Sequence, residues 1–392
     1  IDTIYQGTGT GVNVCQMRTH LSWMQNHAPE LLENAATAFH CKDWLYFNLT
    51  GVRATDPSEA IFTFGDIVKR DYSADVIAAL GLSAVANRLP PIVDGAETSH
   101  PLTKAGAEAT GLREGTPVVL GYVDVACSAL GAGLYDPEVL PGLSILGSTG
   151  MQMRFVPNAA AVQLNPDRSG YTMALPGGAF AQMQSNMVAT INLDWLLDVA
   201  CEMLASQGVK RSRGELLQGL DEKVSAARPG AALYHPYISQ AGERGPFTEP
   251  NARASFTGLD QSVGWFDMVR AVYDSLVLAA RDCYTAMGPM PGEVRITGGA
   301  ARSNALGQFL GAALGVPIRG VEQAEAGAAG AVMIAAVQQG LYADIAACST
   351  AWVAPHVQAP KPANPDLGPV YDTLFAAYHA TRVSLPPVWA SQ

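Results

Sequence analysis

Charge is what this chain has least of. Only 15% of its 392 residues are Asp, Glu, Lys or Arg, and the formal net charge is −11. No basic run is long enough to track a phosphate backbone, which argues against nucleic acid as a partner. An acidic chain can still hold a small anion through backbone N–H groups. Long apolar runs are missing too. Gly, Pro or a charged residue interrupts each one before it reaches membrane-spanning length, and no secretory signal is visible. These absences predict a cytoplasmic protein with no membrane partner. The six cysteines, Cys15, Cys41, Cys127, Cys201, Cys283 and Cys348, form neither a CxxC pair nor a zinc spacing, so no protein-bound metal is expected. They read as scattered buried thiols of a reducing compartment. No short-period repeat is present. The first residue is Ile1 rather than Met, so the sequence need not start where its gene does.

What the chain does have is apolar and small. Hydrophobic residues make up 48% of it and Gly fills 39 positions. Its length exceeds one ordinary core and predicts a large α/β protein of two domains. Residues 11–50 have helical spacing, with Leu21, Trp23, Met24, Leu31 and Leu32 apolar among polar neighbours. Pro29 opens a new turn, and Gly51 ends a helix that starts near Lys42. A short helix is expected over 74–82, then a connection punctuated by Pro and Gly over 88–115. Beyond it, strands are expected near 143–146, 255–257 and 294–297. Helices are expected near 189–204, 268–286, 304–314, 326–339 and 369–382.

Gly121-Tyr122-Val123-Asp124 marks the sharpest change of character. Thr116-Pro117-Val118-Val119-Leu120 reads as a short buried strand, and Ala126 to Gly133 as a tightly packed helix. Asp124 would sit where strand passes to helix. In α/β sheets ligands bind outside the carboxyl ends of strands, and a carboxylate there can take a proton from a substrate hydroxyl. An Asp before a helix also serves as a plain cap. Gly147-Ser148-Thr149-Gly150 offers hydroxyls and exposed N–H groups suited to phosphate oxygens, or an ordinary hairpin turn. Thr297-Gly298-Gly299-Ala300-Ala301-Arg302-Ser303-Asn304 reads as strand, double Gly and helix start. Its glycines leave room for a nucleotide, and Ser303 and Asn304 suit a base, a ribose or a helix cap. Gly242-Glu243-Arg244-Gly245-Pro246, with Asn251-Ala252-Arg253, could contact a ligand, but reads more readily as a loop clamped by a salt bridge.

Taken in order, these segments resemble the FGGY family of carbohydrate kinases. The Asp124 segment looks like the family's catalytic segment. Trp23-Met24-Gln25-Asn26-His27-Ala28-Pro29-Glu30, Lys42-Asp43-Trp44 and Leu49-Thr50-Gly51 resemble its first lobe. Gly242-Glu243-Arg244 and Pro250 to Arg253 are similar to a family loop. Ala254 to Leu259, followed by Asp267-Met268 and Ala271-Val272-Tyr273-Asp274, fits its second signature. Thr297 to Ala300 and Glu325-Ala326-Gly327-Ala328 resemble its adenosine segment and the helix after it. The likeness covers essentially the whole chain. It implies an actin-like, ribonuclease-H-type α/β fold of two lobes, with 1–115 the remainder of the substrate lobe and 116–392 the nucleotide lobe. It implies ATP-dependent phosphorylation of a sugar or polyol hydroxyl, with Asp124 as general base. Gly147, Ser148 and Thr149 would line the ATP phosphates; Gly298, Gly299, Ser303 and Asn304 would hold the adenosine end. Mg²⁺ would bridge the phosphates mainly through water. The family likeness is also compatible with a homodimer.

The chain departs from the family pattern in two places. The Asp-x-Gly-Thr hairpin that opens the family is absent, with about a hundred strand-rich residues after it, so the first lobe is expected to be incomplete at its amino end. On that expectation residues 1–392 alone phosphorylate poorly. Thr190 stands near a usual Gly, adding bulk and a hydroxyl beside the nucleotide. The segments around Gln16–Trp23, Phe39–Tyr46 and Thr55–Ala60 look more like the erythritol branch than the xylulose branch. Arg18, His20 and His40 are candidates to face the cleft, or are packed polar residues. A kinase of xylulose or ribulose type, or a non-catalytic actin-like nucleotide-binding protein, remains open; retention of Asp124 favours the enzyme.

Overall fold

Short helices build the first third of the chain. The computed structural model describes residues 1–14, 16–361 and 364–391, which leaves Cys15 outside. The Met17–His27 helix gives way at Ala28 to Pro29–Glu33, with Pro in the first turn where its missing N–H is not needed. Cys41–Thr50 starts with the His40 N–H on Asp43 at 3.4 Å and stops at Gly51, whose φ of 72° is left-handed. Pro57–Phe64 is capped by Asp56, which accepts the Ser58 N–H. Two antiparallel ribbons join these helices: β1 (Gly65–Asp66) with β2 (Asp71–Tyr72), and β3 (Ser99–Pro101) with β4 (Pro117–Val119).

β4 differs from the expected buried strand. None of its three residues is fully buried, and it pairs with β3 alone instead of joining the main sheet. Pro117 has no N–H for a ladder, which suits an edge. Residues 120–123 continue without ladder bonds, and the Asp124–Gly131 helix begins at Asp124 itself. Asp124 thus stands at a helix N-terminus rather than at the tip of a core strand.

The main sheet has six strands. β5 (Gly142–Leu146), β6 (Gly150–Val156), β7 (Tyr171–Ala174) and β8 (Phe180–Asn186) are antiparallel neighbours in the order β5-β6-β8-β7. A separate ribbon follows, β9 (Leu233–His235) with β10 (Ser255–Thr257). β11 (Val294–Thr297) and β12 (Ile318–Gly320) then add in parallel beyond β5, with Val294 opposite both Gly142 and Ile318. Side chains alternate across the sheet. Leu143 and Met153 join Ala126, Leu130, Met333 and Ile334 on one face; Leu146, Ile296 and Ile318 join Val272, Leu276 and Leu310 on the other.

Two helices account for much of this packing. The helix expected near 268–286 runs over Trp265–Ala286, and every residue from Val269 to Ala280 is buried. Two of its polar members pair inside: Arg270 meets one Asp274 oxygen at 2.7 Å, and the same oxygen accepts the Tyr371 hydroxyl at 2.6 Å. The Asp124–Gly131 helix crosses Ala326–Gln338 at backbone contact. A Cβ on Gly131 would strike the Ala326 carbonyl, and one on Gly330 the Cys127 carbonyl. That close crossing explains the small-residue run after Asp124. Among the described cysteines Cys127, Cys283 and Cys348 are buried as expected, whereas Cys41 is exposed and Cys201 partly so. Among the described residues, no helix is long and apolar enough to cross a membrane.

Candidate active site

The Asp124 carboxylate is exposed in the first turn of its helix, where one oxygen accepts the Val125 N–H at 2.7 Å. Helix starts carry N–H groups without ladder partners and favour negative charge. The residues before it are fastened. Tyr122 is buried; its hydroxyl donates to Asp94 at 2.9 Å and its carbonyl accepts the Cys127 thiol at 3.4 Å. The Val123 N–H donates to the Ser58 hydroxyl at 2.9 Å.

Behind Ser58 runs a chain of charge. The Ser58 hydroxyl donates to Asp56, and Asp56 pairs with Lys42. Lys42 also holds Asp43 at 2.7 Å, Asp43 meets His40 Nδ1 at 3.1 Å, and His40 Nε2 meets Glu59 at 3.3 Å. Burial opposes charge on Lys42, but Asp56 and Asp43 outweigh it and hold its pKa above the ordinary value. His40 is likewise raised, because Asp43 and Glu59 overcome its burial. Burial raises Glu59 against the pull of His40, while His40 and Lys42 overcome burial at Asp43 and lower it. His40 is therefore committed to this chain of charge. Arg18 is fully buried and donates to the Gln16 side chain at 2.7 Å and to the Thr10 and Gly11 carbonyls at 3.2 and 2.7 Å. It holds the turn after the Asp2–Thr8 helix. His20 is exposed.

A second locus forms at one end of the main sheet. Gly147-Ser148-Thr149 is the tip of the β5–β6 hairpin, with Ser148 and Thr149 exposed. Gly147 reaches a cavity of about 600 Å³ that Gly299 and Ser303 also line. Its apolar walls are Leu193, Leu276, Leu306 and Tyr273, and Thr190, Asp194, Asp221 and Arg302 supply polar groups. Gly298 has a φ of 92°, and a Cβ there would press on the Leu146 carbonyl at 2.9 Å. Ser303 caps the Asn304–Leu314 helix by accepting the Leu306 N–H, while its hydroxyl donates to Asp221 at 2.7 Å. Asn304 does not line the cavity; it accepts from Lys361 at 3.0 Å. The Thr190 hydroxyl donates to the Gly147 carbonyl at 2.9 Å, so it pins the hairpin. Asp124 is not among the cavity's lining residues.

Sequence patterns did not single out Leu193, Asp221, Tyr273 or Leu276 as cavity residues. Tyr273 and Leu276 share the long helix, whose spacing carried that signal; Asp221 had none. The Gly242 loop corrects another expectation. Glu243 makes no salt bridge there. It is buried and accepts the Met187 and Arg244 N–H groups at 2.8 Å each. Burial pushes its pKa up to about 7 against those donors. Arg244 donates to the Ser185 hydroxyl at 2.8 Å, and Arg253 to the Ala252 carbonyl at 2.7 Å. Among the described residues, no group of three His, Cys, Asp or Glu is gathered to hold a metal.

Comparison with known proteins agrees with this architecture. Residues 1–131 match the model of the N-terminal domain of the FGGY family of carbohydrate kinases, and residues 145–339 that of its C-terminal domain. The chain is 51% identical over 386 residues to erythritol kinase of Brucella abortus (strain 2308), covering 98% of this chain and 74% of that protein. A ligand-bound xylulose kinase from Lactobacillus acidophilus superimposes with a TM-score of 0.86 at 21% identity, over 100% of this chain and 76% of the other. A xylulose kinase from Rhodospirillum rubrum gives 0.84 at 25% identity, over 99% and 76%. The fold is the actin-like, ribonuclease-H-type architecture.

Proposed function

The chain belongs to the FGGY family of carbohydrate kinases, and from that membership we propose that it transfers the terminal phosphoryl group of ATP to a hydroxyl of a small polyol. Erythritol is the first candidate, on the 51% identity to an erythritol kinase. We assign residues 1–115 to a substrate lobe and 116–392 to a nucleotide lobe, tied together through the β3–β4 ribbon.

In this reading Asp124 is the general base. Its carboxylate accepts the hydroxyl proton as the substrate oxygen forms its bond to the terminal phosphorus. The bond from that phosphorus to the bridging oxygen breaks, and ADP leaves. The observation that carries the proposal is an exposed carboxylate on a helix whose entry is fastened on both flanks. The cavity beside Gly147 has apolar walls for a base, with Gly299 and Ser303 at its adenosine end. Gly298 gives the backbone room there, and Asn304 acts through Lys361 from outside the wall. Gly147, Ser148 and Thr149 offer N–H and hydroxyl donors to phosphate oxygens. Magnesium enters as part of the MgATP substrate. Phosphoryl transfer is mostly positioning and charge neutralisation, and a placed base adds roughly 10²–10⁴-fold. A cytoplasmic site and a homodimer fit this reading.

The likeness to xylulose kinase structures favours a second reading, a ketose as acceptor. Erythritol, threitol, xylulose, ribulose and glycerol assayed for ADP release with the full-length protein separate the two. Asp124→Asn should abolish turnover and keep nucleotide binding; normal turnover would reject the mechanism.

A further inference from the structure

We infer that Ser58 is a positioning residue for the reaction: its hydroxyl, aimed by Asp56, fixes the Val123 peptide and through it the direction of the Asp124 carboxylate. The inference rests on the assignment of Asp124 as general base. Ser58 is fully buried. Its hydroxyl proton is committed to Asp56, so a lone pair is left for the Val123 N–H, 2.9 Å away. Asp56 cannot turn away, because it also accepts the Ser58 N–H at 2.8 Å and pairs with Lys42.

Val123 has φ −55° and ψ 148°, outside the helix it precedes, so no ladder bond orients its N–H. That N–H lies in the Tyr122–Val123 peptide, so a rotation there moves Val123 and, one residue on, the start of the helix that carries Asp124. The contact joins positions 65 residues apart and couples the Pro57–Phe64 helix to the start of the Asp124 helix. Reacting groups must be held within fractions of an ångström, so a lost tether lowers turnover without removing a chemical group.

Ser58→Ala removes the hydroxyl alone, because the backbone N–H still caps on Asp56. In the full-length protein, assayed with the best acceptor well below the melting transition, kcat should fall roughly ten- to hundredfold. The KM for ATP should stay within about twofold of wild type, since the nucleotide site is untouched. Ser58→Thr keeps the hydroxyl and should recover most of the loss. A structural role alone would lower the melting temperature of Ser58→Ala and leave kcat unchanged. Asp124→Asn is assayed beside it. An inactive Asp124→Asn with a fully active Ser58→Ala overturns the tether alone. An active Asp124→Asn overturns the assignment of the base, and the tether with it.

Discussion

The two halves of this molecule are held together by different means. In the first, buried apolar clusters are small: Leu21, Leu32, Phe64, Ile77 and Leu82 make one, and Tyr46, Ala54 and Leu120 another. The chain from Glu59 through His40, Asp43, Lys42 and Asp56 to Ser58 links its helices. In the second half the six-stranded sheet has a continuous apolar core on each face. Polar links are directional and break singly, whereas packing is collective and yields gradually. The entry to the Asp124 helix thus depends on a few named bonds, and the walls of the cavity beside Gly147 on bulk packing.

This contrast is open to breakage at its strongest point first. Lys42→Met leaves Asp43 and Asp56 buried without their shared cation, at a cost of about 3–5 kcal/mol. A shift of the urea midpoint equivalent to less than about 1 kcal/mol would show that the charges are not what holds the first half. Leu310→Ala, in the sheet core, should cost about 2–5 kcal/mol through transfer and cavity terms. It should leave the KM of the polyol unchanged.

Glu243 gives the sheet half a pH signature. Its folded pKa, about 7, lies above its unfolded value, so the folded state holds the extra proton between the two. Stability from this group is complete below the unfolded pKa and is lost as pH rises toward 7, by roughly 3 kcal/mol in all. His40, also raised, acts in the same direction, so the decisive quantity is the difference between wild type and variant. Glu243→Gln should flatten the fall in melting temperature over that range; an unchanged slope would remove Glu243 from the account. The smallest effect is expected at Thr190→Val, which loses the bond to the Gly147 carbonyl, about 1 kcal/mol. The KM for ATP should rise about fivefold, and no change would show that the hairpin needs no pin.

Much of this was legible in the sequence. Pro29, Gly51 and the spacing of Trp265–Ala286 announced their elements because helix ends and helical periodicity are local properties. β6, β7 and β8 were not legible. Gln152, Gln182, Gln184, Ser185 and Asn186 are buried there, so the usual alternation of apolar and polar residues is lost. Their partners lie on neighbouring strands and loops: Ser144 across the hairpin for Gln152, Ser169 for Gln184 and the Gly245 carbonyl for Asn186. β4 was misjudged because a short run of β-branched residues looks alike in a core and on an edge. In the candidate site, the glycines of the hairpin and of Gly298-Gly299 stood out as motifs, although the same residues also suit a plain hairpin turn and a helix start. Asp221 was not, because its tie to Ser303 exists only in three dimensions.

The close helix crossing has one more consequence. The Asp124–Gly131 helix is supported near both ends, by Ser58 at its entry and by the Ala326 backbone against Gly131 at its exit. A beam resting on two supports resists swivelling far better than one held at a single point. Gly131→Ala would act like a wedge under the far support, tilting the near end and the carboxylate mounted on it.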